Sequence, residues 1–281
     1  MSCFLCDTPM QPDVLDGAFR CPACGLFRSD FPVAINQAVD DRLDEVRRER
    51  ALKSLRVANF ERLLDGCQPH LPAGASLLDV GCAHGWFLQA AAARGYRPTG
   101  LEPDHEVAVR AQAEAPVIEG FFPDALPPGA TYDAISFNDV FEHLPDAHAM
   151  AEAVRDRLNP GGVLILNLPL AEGVIFQLAR LAARFGIKGP LARMWQEGLP
   201  SPHLAYYSAR TLLRLTRAHG FELVAQGRLA SMTTQGLWAR IRYDRSVSPL
   251  QAAAFYVAAA GLTVVSGLLP PDIGYFVLRK V

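Results

Sequence analysis

Leu77-Leu78-Asp79-Val80-Gly81-Cys82-Ala83-His84-Gly85-Trp86-Phe87-Leu88 is the stretch whose reading decides the fold. An apolar run leads into Asp79 and Val80, a glycine-bearing turn follows, and helix-favouring sequence begins at Trp86. A strand therefore passes through a tight loop into a helix. Gly81 and Gly85 stand where a ligand's close approach to the backbone leaves no room for a side chain. Outward from this loop, strand-like runs at Leu77 to Val80, Arg97 to Leu101, Pro116 to Ile118, Tyr132 to Phe137 and Val163 to Leu168 alternate with helical stretches. The helical patterns run from Trp86 to Arg94, Glu106 to Ala113 and His148 to Leu158. Such alternation predicts an α/β fold, a parallel sheet with helices on both faces. Ligands of these sheets bind beyond the carboxyl ends of the strands, where the strand order reverses.

Glu102 closes the next strand, 21 positions after Gly81. An acid there can accept hydrogen bonds from both hydroxyls of a ribose. Loop and acid together indicate an adenosine-containing ligand. Their spacing alone does not separate a nicotinamide dinucleotide from S-adenosylmethionine. The loop lacks the Gly-x-Gly-x-x-Gly run that seats a pyrophosphate on a helix N-terminus, so a ligand without phosphates fits better.

The 281 residues, half of them hydrophobic, suffice for one full-sized core and a small appendage. A net charge of −2 gives no basic footprint of the kind that nucleic-acid binders use. The N-terminus lacks a basic segment followed by an apolar run, which places the chain in the cytoplasm, where cysteines stay reduced. Cys3-Phe-Leu-Cys6 and Cys21-Pro-Ala-Cys24 flank the turn Asp16-Gly17, a zinc-ribbon pattern in which two knuckles supply four sulfurs to one tetrahedral ion. A redox dithiol is the competing reading. The ribbon-like module is assigned to residues 1–39, and Cys67 and Cys82 fall outside it as free thiols. Asp40 to Leu64 reads as a charged helix with apolar residues at Leu43, Val46, Leu52, Leu55, Val57 and Phe60, either a linker or part of a lid. Residues 249–270 form an apolar helix before a last strand at Ile273 to Leu278. Its uncharged core, Leu250 to Leu269, is diluted by Gln251, Thr263, Ser266 and two glycines, which favours packing on the protein or a membrane surface over a span.

Over residues 40–281 the sequence resembles the class I S-adenosylmethionine-dependent methyltransferases, in their small-molecule and glycan-modifying branch. Leu77 to Leu88 is similar to that family's first motif, Gly100-Leu-Glu-Pro-Asp104 to its second, and Tyr132 to Asp146 to its fourth-strand motif. Leu158-Asn-Pro-Gly-Gly162, Pro202 to Ser208 and Gly220 to Val224 resemble later landmarks. The resemblance implies a Rossmann-like sheet and S-adenosylmethionine as cofactor. Asp79, Gly81 and Gly85 would hold its methionine end, Glu102 its ribose, Phe121 or Phe122 its adenine face, and Asn138 a further part, with Cys82 also counted among the cofactor-binding residues. Ala83 stands where the family has its middle glycine, which asks for an ordinary backbone angle there.

Methyl transfer from a sulfonium is a direct displacement, so the enzyme must align the acceptor and remove its proton. His143, in the loop after the fourth strand, is the leading base. His203, ahead of Tyr206 and Tyr207, is the second candidate on the acceptor side. Asp139, Glu142 and His143 also resemble the cation-binding acids and histidine of ubiquinone-pathway O-methyltransferases, and such a mixed oxygen and imidazole set suits a divalent ion. Residues 173–200 form an insertion whose segment Gly173 to Trp195, apolar yet basic, suits an amphipathic acceptor such as a lipid-linked sugar or isoprenoid phenol, or self-association. Oxygen is the expected acceptor atom. Two other functions compete: an rRNA methyltransferase that grips RNA with the ribbon, and a cofactor-binding scaffold without catalysis. Against the first, residues 1–39 carry only Arg20 and Arg28 as cations.

Overall fold

A computed structural model describes residues 1–33, 45–232, 248–265 and 269–281, together with Trp238 and Ile241. The expected boundary at residues 39 and 40, Leu43, and residues 266–268 of the apolar segment lie outside the described residues.

Seven strands form the main sheet: β4 (Ser76–Val80), β5 (Arg97–Glu102), β6 (Val117–Glu119), β7 (Tyr132–Asn138), β8 (Leu158–Pro169), β10 (Phe221–Leu229) and β11 (Ile273–Lys280). Their order is β10-β11-β8-β7-β4-β5-β6. Strands β4 to β8 pair in parallel, whereas β11 inserts antiparallel between β8 and β10. This is the expected Rossmann-like methyltransferase sheet. Val163-Leu-Ile-Leu-Asn-Leu168 is buried throughout because β8 lies centrally with both faces covered, which is why it reads as an almost unbroken apolar run. The order reverses at β4, with β5 and β6 on one side and β7 and β8 on the other.

Helix α1 (Glu45–Cys67) buries Phe60, Leu63, Leu64 and Cys67 in a cluster shared with Phe87 and Ala91 of α2 (Trp86–Ala93). The Phe60 and Phe87 rings meet edge to face at 5.3 Å. Asn59 holds α1 to the end of β10 by donating to the Ala230 carbonyl at 2.8 Å and accepting from its amide at 3.0 Å. The helices α3 (His105–Ala111) and α4 (Ala147–Arg157) follow β5 and β7, each N-capped by an aspartate, Asp104 and Asp146.

The cysteine-bearing segment makes three short strands, β1 (Gln11–Pro12), β2 (Ala18–Arg20) and β3 (Phe27–Ser29), with Gly17 at φ 77° in the β1–β2 turn. Strand β3 then pairs antiparallel with β9 (Ala205–Tyr206), so one four-stranded sheet joins the cysteine segment to the stretch that follows the insertion. Between β8 and β9 the insertion folds as α5 (Val174–Arg184) and α6 (Gly189–Met194). Its inner face packs Phe176 and Trp195 with Tyr206 and with Leu15, Ala18 and Phe27 of the cysteine segment. The Phe176 ring stacks on Tyr206 at 4.3 Å. Helix α7 (Ala209–Ala218) begins at a Ser208–Thr211 capping box, and α8 (Pro249–Val265) precedes β11. Among the described residues no helix is long and apolar enough to cross a membrane.

Candidate active site

At the reversal point, Leu52, Arg56 and Phe60 of α1, Asp79 and Asn138 at the strand ends, and the loop through Trp86 line a cavity of about 190 Å³ that opens to solvent. Its electrostatic centre is Asp79, which accepts from Ser136 Oγ at 2.7 Å and Asn138 Nδ2 at 2.9 Å. Asn167 Nδ2 in turn donates to Asn138 Oδ1 at 3.3 Å, so the Asn138 amide is committed to orienting Asp79. Complete burial pushes the Asp79 carboxyl up to about 7 despite these hydrogen bonds.

The glycines are fixed by steric need. Gly81 has φ 71°, and a Cβ there would sit 2.7 Å from Val140 Cγ2. Gly85 adopts φ 71° as the N-cap of α2. Ala83 departs from the expected ordinary angle: its φ is 45°. The left-handed turn aims the Ala83 amide at Glu102 Oε2, 3.0 Å away, and this hydrogen bond offsets part of the strain on a residue with a Cβ. Glu102 Oε1 accepts from the Asp104 amide at 3.2 Å, and burial raises this carboxyl above its usual range. Cys82 lines the space but is 5 % exposed, its thiol raised chiefly by burial. Phe122 packs edge to face on Phe137 at 6.0 Å in the core, whereas Phe121 is exposed beyond β6.

Sequence reasoning placed His84 and Trp86 in the loop motif without a role of their own and missed Arg56, and all three stand on the walls of this space. Arg56 reaches Asp139 Oδ2 at 3.0 Å and so ties α1 to the end of β7. His84 and Trp86 lie against each other at 4.8 Å. The sole signal for Arg56 was its place on the amphipathic helix, where a cation is ordinarily a solvated one.

A second group of polar side chains lies beyond the end of β7, on the side where the acceptor was expected. The turn Phe141–His143 carries Glu142 and His143, and the segment leaving the insertion brings His203 against them. The two imidazoles meet at 4.7 Å, and His203 Nε2 stands 3.9 Å from Glu142 Oε1. His143 Nδ1 donates to the Pro202 carbonyl at 2.9 Å, which leaves Nε2 as its lone-pair nitrogen. Gln196 Nε2 donates to His203 Nε2 at 3.0 Å. Among the described residues neither Glu142 carboxyl oxygen nor His203 Nδ1 has a hydrogen-bond partner, although all are buried. Burial raises Glu142 well above the carboxylate range and lowers both histidines. One ligand atom each from Glu142, His143 and His203 falls within 4.8 Å of the others. The expected trio of Asp139, Glu142 and His143 is thus rearranged: Asp139 turns to Arg56, and His203 takes its place.

The four cysteines converge as well. Cys3 and Cys24 sulfurs are 3.5 Å apart, Cys6 and Cys21 sulfurs 3.4 Å, and all four lie within 4.8 Å of one another. A tetrahedral zinc with bonds of about 2.3 Å needs sulfurs separated by about 3.8 Å, so the cluster fits. Each knuckle turns alike: Cys3 O accepts from Asp7 N at 2.8 Å and Cys21 O from Gly25 N at 3.0 Å, with positive φ at Asp7 and Gly25.

Comparison with known proteins accords with this geometry. A ubiquinone biosynthesis O-methyltransferase of Xylella fastidiosa (strain 9a5c) is 31% identical over 152 residues, 48% of this chain and 58% of the relative. One of the same name from Xanthomonas axonopodis pv. citri is 29% identical over 136 residues, 45% of this chain and 54% of the relative. The chain spans about half the length of the curated relatives it matches. Among solved structures, a cyclopropane synthase from Mycobacterium tuberculosis superposes with TM-score 0.51 at 20% identity, over 89% of this chain and 90% of that one. A SAM dependent methyltransferase from Archaeoglobus fulgidus gives 0.54 at 15% identity, over 84% of this chain and 99% of that one. At such identities these structures show the shared fold alone. A family model described as a methyltransferase domain matches residues 46–226, which takes in the loop, Glu102 and the whole acceptor-side cluster, and the chain belongs to that family.

Proposed function

We propose that the chain transfers the methyl group of S-adenosylmethionine to an oxygen of a small-molecule, glycan or lipid-linked acceptor. The observation that carries this reading is the buried Asp79 facing the glycine loop, with Glu102 one strand away, in a space that α1 closes. When bound there, S-adenosylmethionine supplies an electrophilic methyl on a sulfonium. Asp79, held by Ser136 and Asn138, receives the ammonium of the methionine end, and Arg56 lies within reach of its carboxylate. Gly81 lets the backbone come close, Glu102 takes the ribose hydroxyls, and Phe121 offers a face to the adenine. His143, neutral because burial lowers it and oriented by Pro202, accepts the acceptor's proton at Nε2.

Two metals belong to this reading. Cys3, Cys6, Cys21 and Cys24 hold a structural zinc, a closed set with no position left for catalysis. Both Glu142 oxygens and His203 Nδ1 are buried without a hydrogen-bond partner, and one ligand atom each of Glu142, His143 and His203 lies within 4.8 Å of the others, an arrangement that a divalent cation would satisfy by ionising Glu142. Metal dependence separates cation-assisted alignment from plain base catalysis. The relatives' name, ubiquinone biosynthesis O-methyltransferase, supports an isoprenoid phenol as acceptor class. So does the exposed face of the insertion, where Leu178, Leu181, Phe185 and Ile187 stand beside Arg184, a combination suited to a membrane surface.

Calorimetric titration with S-adenosylhomocysteine tests the donor site. Binding is expected in the micromolar range, with Glu102→Ala weakening it by a factor of about 10 to 100 as charge-assisted hydrogen bonds are lost. No binding by the parent, or an unchanged affinity in the variant, defeats the assignment. Labelled methyl transfer into the lipid, small-molecule, RNA and protein fractions of a cell extract then identifies the acceptor class.

A further inference from the structure

The cysteine module does more to this fold than cap its N-terminus. His203 is the first residue of a segment held from three directions. Its amide donates to the Trp195 carbonyl at 3.0 Å, and the next amide, Leu204 N, donates to the Glu142 carbonyl at 2.8 Å. The third hold comes from β3: Ser29 Oγ donates to the His203 carbonyl at 2.7 Å, and Ser29 N donates to the Leu204 carbonyl at 3.0 Å. Strand pairing continues from there through Arg28–Ala205 and Phe27–Tyr206. Ser29 is 4 % exposed, so this hydrogen bond is shielded from competing water. Phe31 adds an edge-to-face contact with Trp195 at 6.1 Å. Of the three holds, only this one comes from outside the stretch between β7 and β9.

We propose that the cysteine module forms the outer wall of the acceptor site, and that Ser29 is a positioning residue which sets His203 against Glu142 and His143. The inference rests on the reading of His203 as part of the acceptor side. Metal binding by the four cysteines orders β3, β3 fixes the His203 carbonyl, and the imidazole follows its backbone. The ribbon thereby acts on the site without touching substrate.

The test reads the reactivity of individual imidazoles in the full-length, zinc-loaded chain, using diethyl pyrocarbonate and peptide mass spectrometry. His203, 6 % exposed, is modified only when its segment opens. His148 serves as the internal control, because its Nε2 donates to the Phe4 carbonyl at 2.9 Å and reports a general loosening of the module. Ser29→Ala is expected to speed His203 modification about tenfold, the effect of one lost neutral hydrogen bond, while His148 stays at the parent rate. Ser29→Thr, which keeps the hydroxyl, is expected to remain within about twofold of the parent. An unchanged His203 rate in Ser29→Ala overturns the proposal, as does a parallel rise at His148. Should Ser29→Ala not fold, chelation of zinc from the parent takes its place, with His143 as a second control because a cation lost from Glu142, His143 and His203 would free His143 too: His203 modification must rise and return when zinc is restored while His143 stays at the parent rate, and no rise, or a parallel rise at His143, overturns the proposal. Binding of S-adenosylhomocysteine is measured on the same samples. Its absence in the parent would defeat the donor-site reading while leaving the labelling result intact.

Discussion

Asp79 is a carboxyl only 1 % exposed, and its chemistry in the free protein differs from its chemistry with a cation alongside. Burial raises it from 3.8 to about 7, so the native state holds a proton that the unfolded chain releases over that interval. Because the native state binds more protons there, this group's contribution to stability falls as pH rises from about 4 through 7. Ligation of an ammonium reverses the preference, since the ionised form then has a partner. Binding of S-adenosylhomocysteine is therefore expected to release a proton and to weaken up to about tenfold per pH unit below about 7. Calorimetry in buffers of different ionisation enthalpy reads this directly, and a proton count near zero at pH 6 would contradict it. Ala83 gives a second expectation. Its left-handed angle strains a residue that has a Cβ, so Ala83→Gly is expected to raise stability by about 1 kcal/mol, measured by urea unfolding, with cofactor affinity retained.

At the scale of elements, α1 lines the open space beside the glycine loop through Leu52, Arg56 and Phe60 and does not only cover the sheet. Its Arg56 spans from the helix to Asp139 and faces the open space below. Arg56→Ala is expected to weaken S-adenosylhomocysteine about tenfold while lowering the melting temperature little, since a half-exposed ion pair contributes about 1 kcal/mol or less. The same element marks the border of what the sequence made legible. The glycine loop, Glu102 and the order of strands and helices were readable because each depends on neighbours within some thirty residues, where period and turn chemistry act locally. Arg56 was not, because its role arises only when α1 folds back across α2, and a charge on a helix looks the same wherever that helix docks. The cluster of Glu142, His143 and His203 was not legible for a similar reason: Glu142 and His143 share one turn with Asp139 beside it, but His203 arrives just ahead of β9, about sixty positions later. Ala83 misled in the opposite direction, since its side chain argues for an ordinary angle and the hydrogen bond to Glu102 overrides it.

Across the whole molecule, the cysteine module and the catalytic fold are joined by a buried ion pair as well as by a shared sheet. Arg180 of α5 donates to both carboxyl oxygens of Asp13, at 2.6 and 3.0 Å, and its guanidinium lies 4.5 Å above the Phe27 ring. Asp13→Ala strands that guanidinium in a pocket 9 % open to solvent, which is expected to cost about 3–5 kcal/mol. The melting temperature should fall by about 10 °C in a single transition, and a separate early transition of the module alone would show that the two parts are not one cooperative unit. The β3–β9 pairing also has a consequence during synthesis. Strand β3 leaves the ribosome some 177 residues ahead of its partner, since Arg28 pairs with Ala205. At about 5–20 residues per second, that delay is roughly 10–35 s. Throughout it the nascent hairpin presents an unpaired strand edge, a template for any passing chain. Metal uptake at this stage would keep that edge short and rigid, so the cell's zinc supply would set how many chains survive to meet their own β9.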